Sequence, residues 1–519
     1  GIVTMEFSVS RRRILALWFA RLPTDRLQRR CASPDDRPLV LSIKSNNARI
    51  LYAVDRKAAR LRLTPGMPLA SARAMVRELN VVEADGPADA KLLATIADWC
   101  DRYTPFVSID GVDGLLLDVT GATHLFGGEA AMLKTVCAAM TRQGFTVRAA
   151  IAGTAAAARA LARFADTTIA APGAEAEAVA LLPVAALNLD AADTHALRRA
   201  GLKTIAQVAS RTRGELTARF GKEMVFKLDR ALGLSEKPIS PRRILPDYMT
   251  EHRFADPVVA ENFIAGSILS LAQSLCRLLE ERGQGARRLE ASFFRSDGQV
   301  SRIALETARP LREPNIIARL FRERLDALSD PIDPGFGFDL IRLSALHAEC
   351  LVPESVGLEA LPDDDKEIAF LIDRLAARFG SHRILAFQPQ DTHIPEAAGV
   401  AVPAQHAPEM KLDWEARIPG EAPRRPLRML AKPEPIEVMA QIPDGPPLRF
   451  RWRRALHAVA RAEGPERIAM EWWKNQEPQP TRDYFRVEDE GGRRFWLYRD
   501  GLYGREQFAP RWYVHGLFA

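Results

Sequence analysis

Ser108-Ile109-Asp110-Gly111-Val112-Asp113-Gly114-Leu115-Leu116-Leu117-Asp118-Val119-Thr120-Gly121 sets three carboxylates around one apolar run. Leu115–Val119 has the length of a buried strand, and Asp113-Gly114 is a turn dipeptide. Carboxylates on adjacent strands are what a two-magnesium site requires, because Mg²⁺ takes oxygen ligands in near-octahedral geometry. Acids in such positions also cap turns, and spacing alone leaves both readings open.

Working outward, the pattern is that of a multidomain α/β and α+β protein. Residues 11–180 read as α/β. They hold short apolar runs at Ile14–Phe19, Leu39–Lys44 and Arg49–Val54, and helical spacing over Leu69–Leu79, Lys91–Arg102 and Glu129–Met140. Phe145–Ile151 alternates as a strand does, and Thr154 is placed to cap the Ala-rich helix after it. Residues 181–237 change to short helices broken by glycine, with a tight hairpin at Gly201-Leu202-Lys203-Thr204. A Pro-bearing linker, 238–249, leads to an α+β module over 250–350, with a long amphipathic helix at Glu261–Glu281 and a hairpin turn at Ser296-Asp297-Gly298. Residues 351–435 contain a helix over Glu367–Phe379 and then read as a mostly irregular, Pro- and Ala-rich linker. Residues 436–519 read as a compact, aromatic, basic, β-containing domain with a hairpin turn at Asp489-Glu490-Gly491-Gly492.

Composition narrows the function. The 519 residues suit about three to five domains. Lys+Arg number 72 against 66 Asp+Glu, a net of +6, which permits a polyanion partner without requiring one. No run of 18 apolar residues is present, so no transmembrane helix is expected. The apolar run after Arg11-Arg12-Arg13 ends at Arg21, too soon for a signal peptide, and Met5 reads as the start. The five cysteines, at 31, 100, 137, 276 and 350, lack paired spacing, which fits a reducing cytoplasm. The nine histidines form no ligand cluster and there is no Walker sequence, so neither a bound metal nor a cofactor is expected. Six of the eight tryptophans lie at 414 or beyond, so the two ends of the chain are built differently.

Ser108-Ile109-Asp110 and Leu117-Asp118-Val119 resemble the metal-binding strand motif of Y-family, translesion DNA polymerases, and Pro65-Gly66-Met67-Pro68 resembles that family's turn. The order of units also resembles its palm with fingers, helix-hairpin-helix thumb and little finger, over about residues 11–350. Gly114–Gly121, His124-Leu125-Phe126-Gly127-Gly128, Gly464-Pro465-Glu466-Arg467-Ile468 and Arg493–Tyr498 resemble one subfamily, the ImuB-type accessory factors of bacterial mutagenic repair. That resemblance implies a catalytically inactive, DNA-binding adaptor of damage tolerance, cytoplasmic and nucleoid-associated. Its implied partners are the sliding clamp, a RecA-related protein of the ImuA type and an error-prone replicative-type polymerase of the DnaE2 type.

The departures from the active family carry the inference of inactivity. In the N-terminal strand, Leu17 best matches the first metal-binding Asp. Counting back from Leu117-Asp118 puts Asp113 and Gly114 on the Asp-Glu pair; counting from Ser108-Ile109 puts Asp110 and Gly111 there but needs a three-residue insertion, so the first register is preferred. The implied triphosphate contacts fall on Arg56, Ala59 and Asp166, and a carboxylate at 166 would repel a triphosphate. The rival reading is a weak polymerase using Asp110 and Asp113; a third is a scaffold that no longer touches DNA.

Three further groups are candidates. Arg198, Arg199, Gly201, Lys203, Thr204, Arg211 and Arg213 surround the thumb hairpin, whose glycine turn could aim backbone N–H groups at a phosphate. Arg287, Arg288, Arg295 and Arg302 are the little-finger candidates; with Phe294 and Ile303 facing the core, Arg295 and Arg302 would face DNA. Both sets are also what solvated basic faces look like. The resemblance puts a clamp-binding peptide at Glu354–Leu361, where Leu358 and Leu361 match it without its Gln or terminal aromatic; local packing is the alternative. In the tail, Trp452, Trp472, Trp473, Trp496 and Trp512 suit a partner interface rich in Trp and Arg, stacking on single-stranded DNA, or a Trp-rich core.

Overall fold

The computed structural model describes residues 12–29, 36–45, 48–166, 168–351, 364–407, 425–426, 428–441, 445–474, 479–502, 505–506 and 509–518. The chain divides into two compact units, Gly1–Arg378 and Phe379–Ala519.

The first unit is organised by a four-stranded antiparallel sheet in the order Val107–Asp110, Gly114–Asp118, Ile14–Trp18, Arg148–Ala152. Side chains alternate across a strand. Leu15, Leu17, Leu115 and Leu117 therefore pack with the helices Gly86–Cys100 and Glu129–Arg142, while Ile14, Ala16 and Leu116 pack under the helix Ala155–Phe164. That last helix is lined with Ala157, Ala158, Ala160 and Ala162, whose small side chains let sheet and thumb share one core with Leu197, Ile205, Leu216 and Leu228. Thr154 caps it as expected, accepting from the Ala157 N–H, and also donates to the Arg230 carbonyl at 2.7 Å, tying palm to thumb. The fingers are a small three-stranded sheet, Leu39–Ser45, Ala48–Val54 and Asn80–Glu83, around their own core of Val40, Leu51, Leu63 and Leu69.

The little finger has four antiparallel strands in the order Val300–Leu311, Gln284–Arg295, Phe338–Cys350, Tyr248–Val258. The helices Glu261–Glu281 and Pro314–Asp326 cover one face. Glu261–Glu281 is long and apolar enough by length and composition to cross a membrane, although it holds no unbroken run of 18 apolar residues. Ile268, Leu271, Leu275 and Leu279 are buried against the sheet, the pattern of a core helix.

The second unit holds a two-stranded sheet, Leu385–Pro389 with Gly399–Pro403, and a closed six-stranded barrel. The barrel strands are Arg428–Ala440, Pro447–Trp452, Ala455–Ile468, Arg482–Asp489, Arg494–Asp500 and Arg511–Leu517. The expectation of an irregular linker up to residue 435 is corrected here. Pro433 and Pro435 lie inside the first barrel strand, where the pairing with Arg511–Leu517 shifts register between Met429 and Glu434. A bulge of this kind tolerates residues that cannot donate to the ladder.

Candidate functional site

The two hairpin strands bring Asp110 opposite Gly114, with Gly111-Val112-Asp113 as the turn between them. Gly111 needs a left-handed φ of +67° there. The Asp113 carbonyl accepts from the Phe19 N–H at 2.8 Å, which pins the turn to the end of the first strand. The Asp113 carboxylate accepts from Trp18 Nε1 at 2.9 Å and from two Arg163 nitrogens at 2.7 and 3.2 Å. Arg159 Nε lies 2.7 Å from the Asp110 carboxylate, and Arg163 reaches the same group at 3.7 Å. Arg159 and Arg163 stand one helical turn apart on Ala155–Phe164, so both guanidiniums meet the hairpin from the same face. Burial pulls the Arg159 guanidinium below its ordinary pKa, and Asp110 is the chief force opposing that fall. Arg163 also sits 5.5 Å from the Trp18 ring, within cation–π range.

Two carboxylates and two guanidiniums balance, so no net negative charge is left for a cation. Asp118, the third acid, is occupied as a turn cap: its Oδ1 accepts from the Thr120 N–H at 3.0 Å and hydroxyl at 2.6 Å. Among the described residues, no group of three or more His, Cys, Asp or Glu is arranged to hold a metal ion.

This geometry revises the position assigned to Leu17. Leu17 is 2 % exposed and faces the helices on the far side of the sheet. The next residue, Trp18, pairs with Gly114 and points to the side where Asp110 and Asp113 meet the arginines. The pleat puts alternate residues on opposite faces, so Leu17, the position matched to the first metal-binding Asp, stands on the other side of the sheet from Asp110 and Asp113. Asp110 ends one strand, Gly114 begins the next, and Gly111-Val112-Asp113 form the turn between them. Arg159 and Arg163 escaped the sequence reading; their i, i+4 spacing after a strand was the available signal. Of the implied triphosphate positions, Arg56 and Asp166 are exposed, Asp166 just beyond the end of its helix, and Ala59 is half-buried.

In the thumb, Arg198, Arg199, Arg211 and Lys203 are exposed, and Arg213 pairs with Asp229 at 2.8 Å. Gly201 has φ +80°. The backbone donors of the hairpin are already used: Gly201 donates to the Arg198 carbonyl, Leu202 to the Leu197 carbonyl and Lys203 to Gln207 Oε1. Thr204 caps the next helix in a reciprocal box with Gln207. A phosphate here would therefore meet side chains rather than the expected backbone N–H groups.

The little-finger arginines stand differently from expectation. Arg302 binds Asp101 at 2.6 Å and Arg295 binds Asp297 at 2.5 Å, while Trp99 Nε1 donates to the Arg295 carbonyl at 3.0 Å. Phe294 does not join the helix-covered core. It shares a face with Arg302 and Arg342, whose guanidiniums lie 5.9 and 5.4 Å from its ring, and Phe293 takes the core place. The face expected to meet DNA thus docks on the end of the palm helix Gly86–Cys100, where Arg342 also donates to the Asp101 carbonyl and to Glu251. Arg287 and Arg288 pair within the sheet's own unit, with Glu349 at 3.3 Å and Glu306 at 3.5 Å.

The tail tryptophans separate by burial. Trp496 is 1 % exposed and Trp512 6 %, so both are core residues of the barrel rather than contact residues. Trp452 is half-buried, its Nε1 donating to Glu434. Trp472 and Trp473 are 78 % and 59 % exposed, edge to face at 5.8 Å. Leu358 and Leu361 lie outside the described residues.

Comparison with known proteins agrees with this architecture. The impB/mucB/samB family matches residues 24–163, and that family's C-terminal domain matches residues 246–360. The chain is 41 % identical over 467 residues to "Protein ImuB" of Caulobacter vibrioides (strain NA1000 / CB15N), covering 88 % of this chain and 99 % of that one. It is 24 % identical over 347 residues to "DNA polymerase IV" of Gluconobacter oxydans (strain 621H), covering 65 % of this chain and 94 % of that one. Among solved structures it is similar to DinB from Sulfolobus solfataricus, at 13 % identity and a TM-score of 0.38, covering 66 % of this chain and all of that one. With its polymerase-like body and appended barrel, the chain belongs to the ImuB family, a branch of the Y-family DNA polymerases.

Proposed function

We propose that this protein is a non-catalytic adaptor in DNA damage tolerance and induced mutagenesis, acting in the cytoplasm at the nucleoid. The observation that carries this reading is the ion-paired hairpin. Asp110 and Asp113 are engaged by Arg159 and Arg163, and Trp18 occupies the remaining place on that face. Metal-dependent nucleotidyl transfer needs carboxylates free to share Mg²⁺, and these are neutralised within the chain.

The adaptor holds DNA through the exposed thumb arginines and lysine, in a salt-dependent and sequence-tolerant way. It engages a sliding clamp through Leu358 and Leu361, and a RecA-related protein and an error-prone replicative-type polymerase through its C-terminal domain. There the exposed Trp472–Trp473 pair supplies the kind of aromatic anchor that interfaces favour. Primer extension with Mg²⁺ or Mn²⁺ tests the central claim. The expected outcome is no incorporation; template-directed incorporation that disappears in Asp110→Ala with Asp113→Ala would refute it.

A further inference from the structure

Between palm and thumb lies a cavity of about 590 Å³. Its walls come from the end of the strand Val107–Asp110, the first half of the helix Ala155–Phe164, the thumb helix Lys222–Ala231 and the connecting segment 237–242. None of Arg56, Ala59 and Asp166, the positions where the family resemblance places a triphosphate, lines it.

The lining has a definite chemistry. Its floor is apolar, with Leu116 and Ile239 beside the small side chains of Ala155 and Ala156. The one lining carboxylate, Asp110, is already paired with Arg159. Among the described residues Lys227 donates to the neutral Asn188 carbonyl alone, at 2.9 Å. Among the described residues, no carboxylate forms an ion pair with Lys227, Arg230 or Lys237, all of which line the cavity. Three cations without acidic partners therefore surround an apolar floor. A volume of this size is in the usual range for a small organic ligand. The floor suits a flat ring, and the rim suits a multiply charged anion.

We propose that this cavity binds a free nucleoside polyphosphate, with the base on the alanine floor and the phosphates among Lys227, Arg230 and Lys237. The site needs neither template nor divalent metal, which separates it from an incoming-nucleotide site, and it holds whether or not the chain acts as an adaptor on DNA.

Isothermal titration of the full chain with ADP, ATP and pyrophosphate, without DNA or Mg²⁺, tests it. Saturable binding of ADP is expected, tighter than that of pyrophosphate because only ADP uses the floor. Arg230→Glu with Lys237→Glu should weaken ADP binding by about 10-fold or more. Ala156→Trp should weaken it by filling the floor, and Arg56→Glu in the fingers should leave it unchanged. Should Ala156→Trp fail to fold, as judged by thermal melting, the rim reversal at the half-buried Arg230 and the exposed Lys237 decides. The proposal is overturned by the absence of ADP saturation at about 1 mM, by pyrophosphate binding as tightly as ADP, by insensitivity to the rim reversal, or by loss of binding in Arg56→Glu.

Discussion

Removing Arg163 should weaken the first unit measurably without creating a polymerase. Arg163 and Asp113 are only partly exposed, with side chains at 17 % and 31 %, and meet through contacts of 2.7 and 3.2 Å. An exposed pair is worth about 0.2–1 kcal/mol, and stripping one partner from a buried pair costs about 3–5 kcal/mol. This pair lies between those limits. Arg163→Ala also removes the guanidinium 5.5 Å from the Trp18 ring and leaves Asp110 with Arg159 alone. A loss of about 2–3 kcal/mol is expected, or roughly 3–4 °C in melting temperature for a unit spanning Gly1–Arg378. Asp113→Asn keeps an oxygen for Trp18 Nε1 but drops the charge, and should cost about 1 kcal/mol. Because the two residues touch, the double variant should be less unstable than the sum by about 1 kcal/mol. Thermal and urea unfolding of the four proteins give the coupling, and primer extension on the same samples should stay blank. A coupling indistinguishable from zero, or a higher melting temperature in Arg163→Ala, would show that the pair does not lock the hairpin.

Three further outcomes follow from single positions. Gly114→Glu restores the acid that the family resemblance implies, but its Cβ would lie 2.8 Å from the Asp110 carbonyl oxygen and 3.2 Å from Arg163; a loss of about 1–3 kcal/mol in denaturant unfolding and no gain in incorporation are expected, and a stable, active variant would contradict the geometry. Trp496→Ala should cost about 3–5 kcal/mol, whereas Trp472→Ala and Trp473→Ala should stay within about 0.5 kcal/mol while losing partner pull-down; equal stability losses would mean the exposed pair is packed. Asp101 is raised from 3.8 to about 6, first by burial and with help from Asp98, against the pull of Arg302, Arg342 and Arg243. Its contribution to stability is therefore fully present below 3.8 and is lost as pH rises through about 6. Across that window the melting temperature of Asp101→Asn should rise relative to the unmodified chain, and a constant difference would remove the argument. The depressed Arg302 guanidinium points the same way, since burial costs both partners of this pair more than solvent-exposed charges would pay.

Much of the molecule was legible because local rules and burial agree. The cap at Thr154 and the turn at Asp489–Gly492 each stand on contacts within a few residues, and both are found in the fold. The strand expected over Phe145–Ile151 is Arg148–Ala152 instead, and it is buried on both faces rather than alternating, because cores lie on either side of its sheet. The barrel's first strand was hidden because Lys432-Pro433-Glu434-Pro435 contradicts strand propensity, and only a neighbouring strand that can shift register makes it a strand. Likewise Trp496 and Trp472 are chemically identical in a sequence, and only closure of the barrel decides that one is core and the other surface.

Residue types and spacings alone carry the order of palm, fingers, thumb, little finger and aromatic tail, and they put Leu17 and Gly114 where the family resemblance implies acids. Only the packed fold settled which groups Asp110 and Asp113 pair with. Arg159 and Arg163 are some fifty residues from Asp113 in the chain, and only packing of the alanine helix on the sheet brings their guanidiniums onto its carboxylate and that of Asp110. It also decided that Trp18 rather than Leu17 faces that site, since the pleat assigns neighbours to opposite faces. And it turned Arg302 from a DNA-facing candidate into a link to Asp101, because charges distant in sequence find their lowest free energy only when the folded chain places an opposite charge within reach.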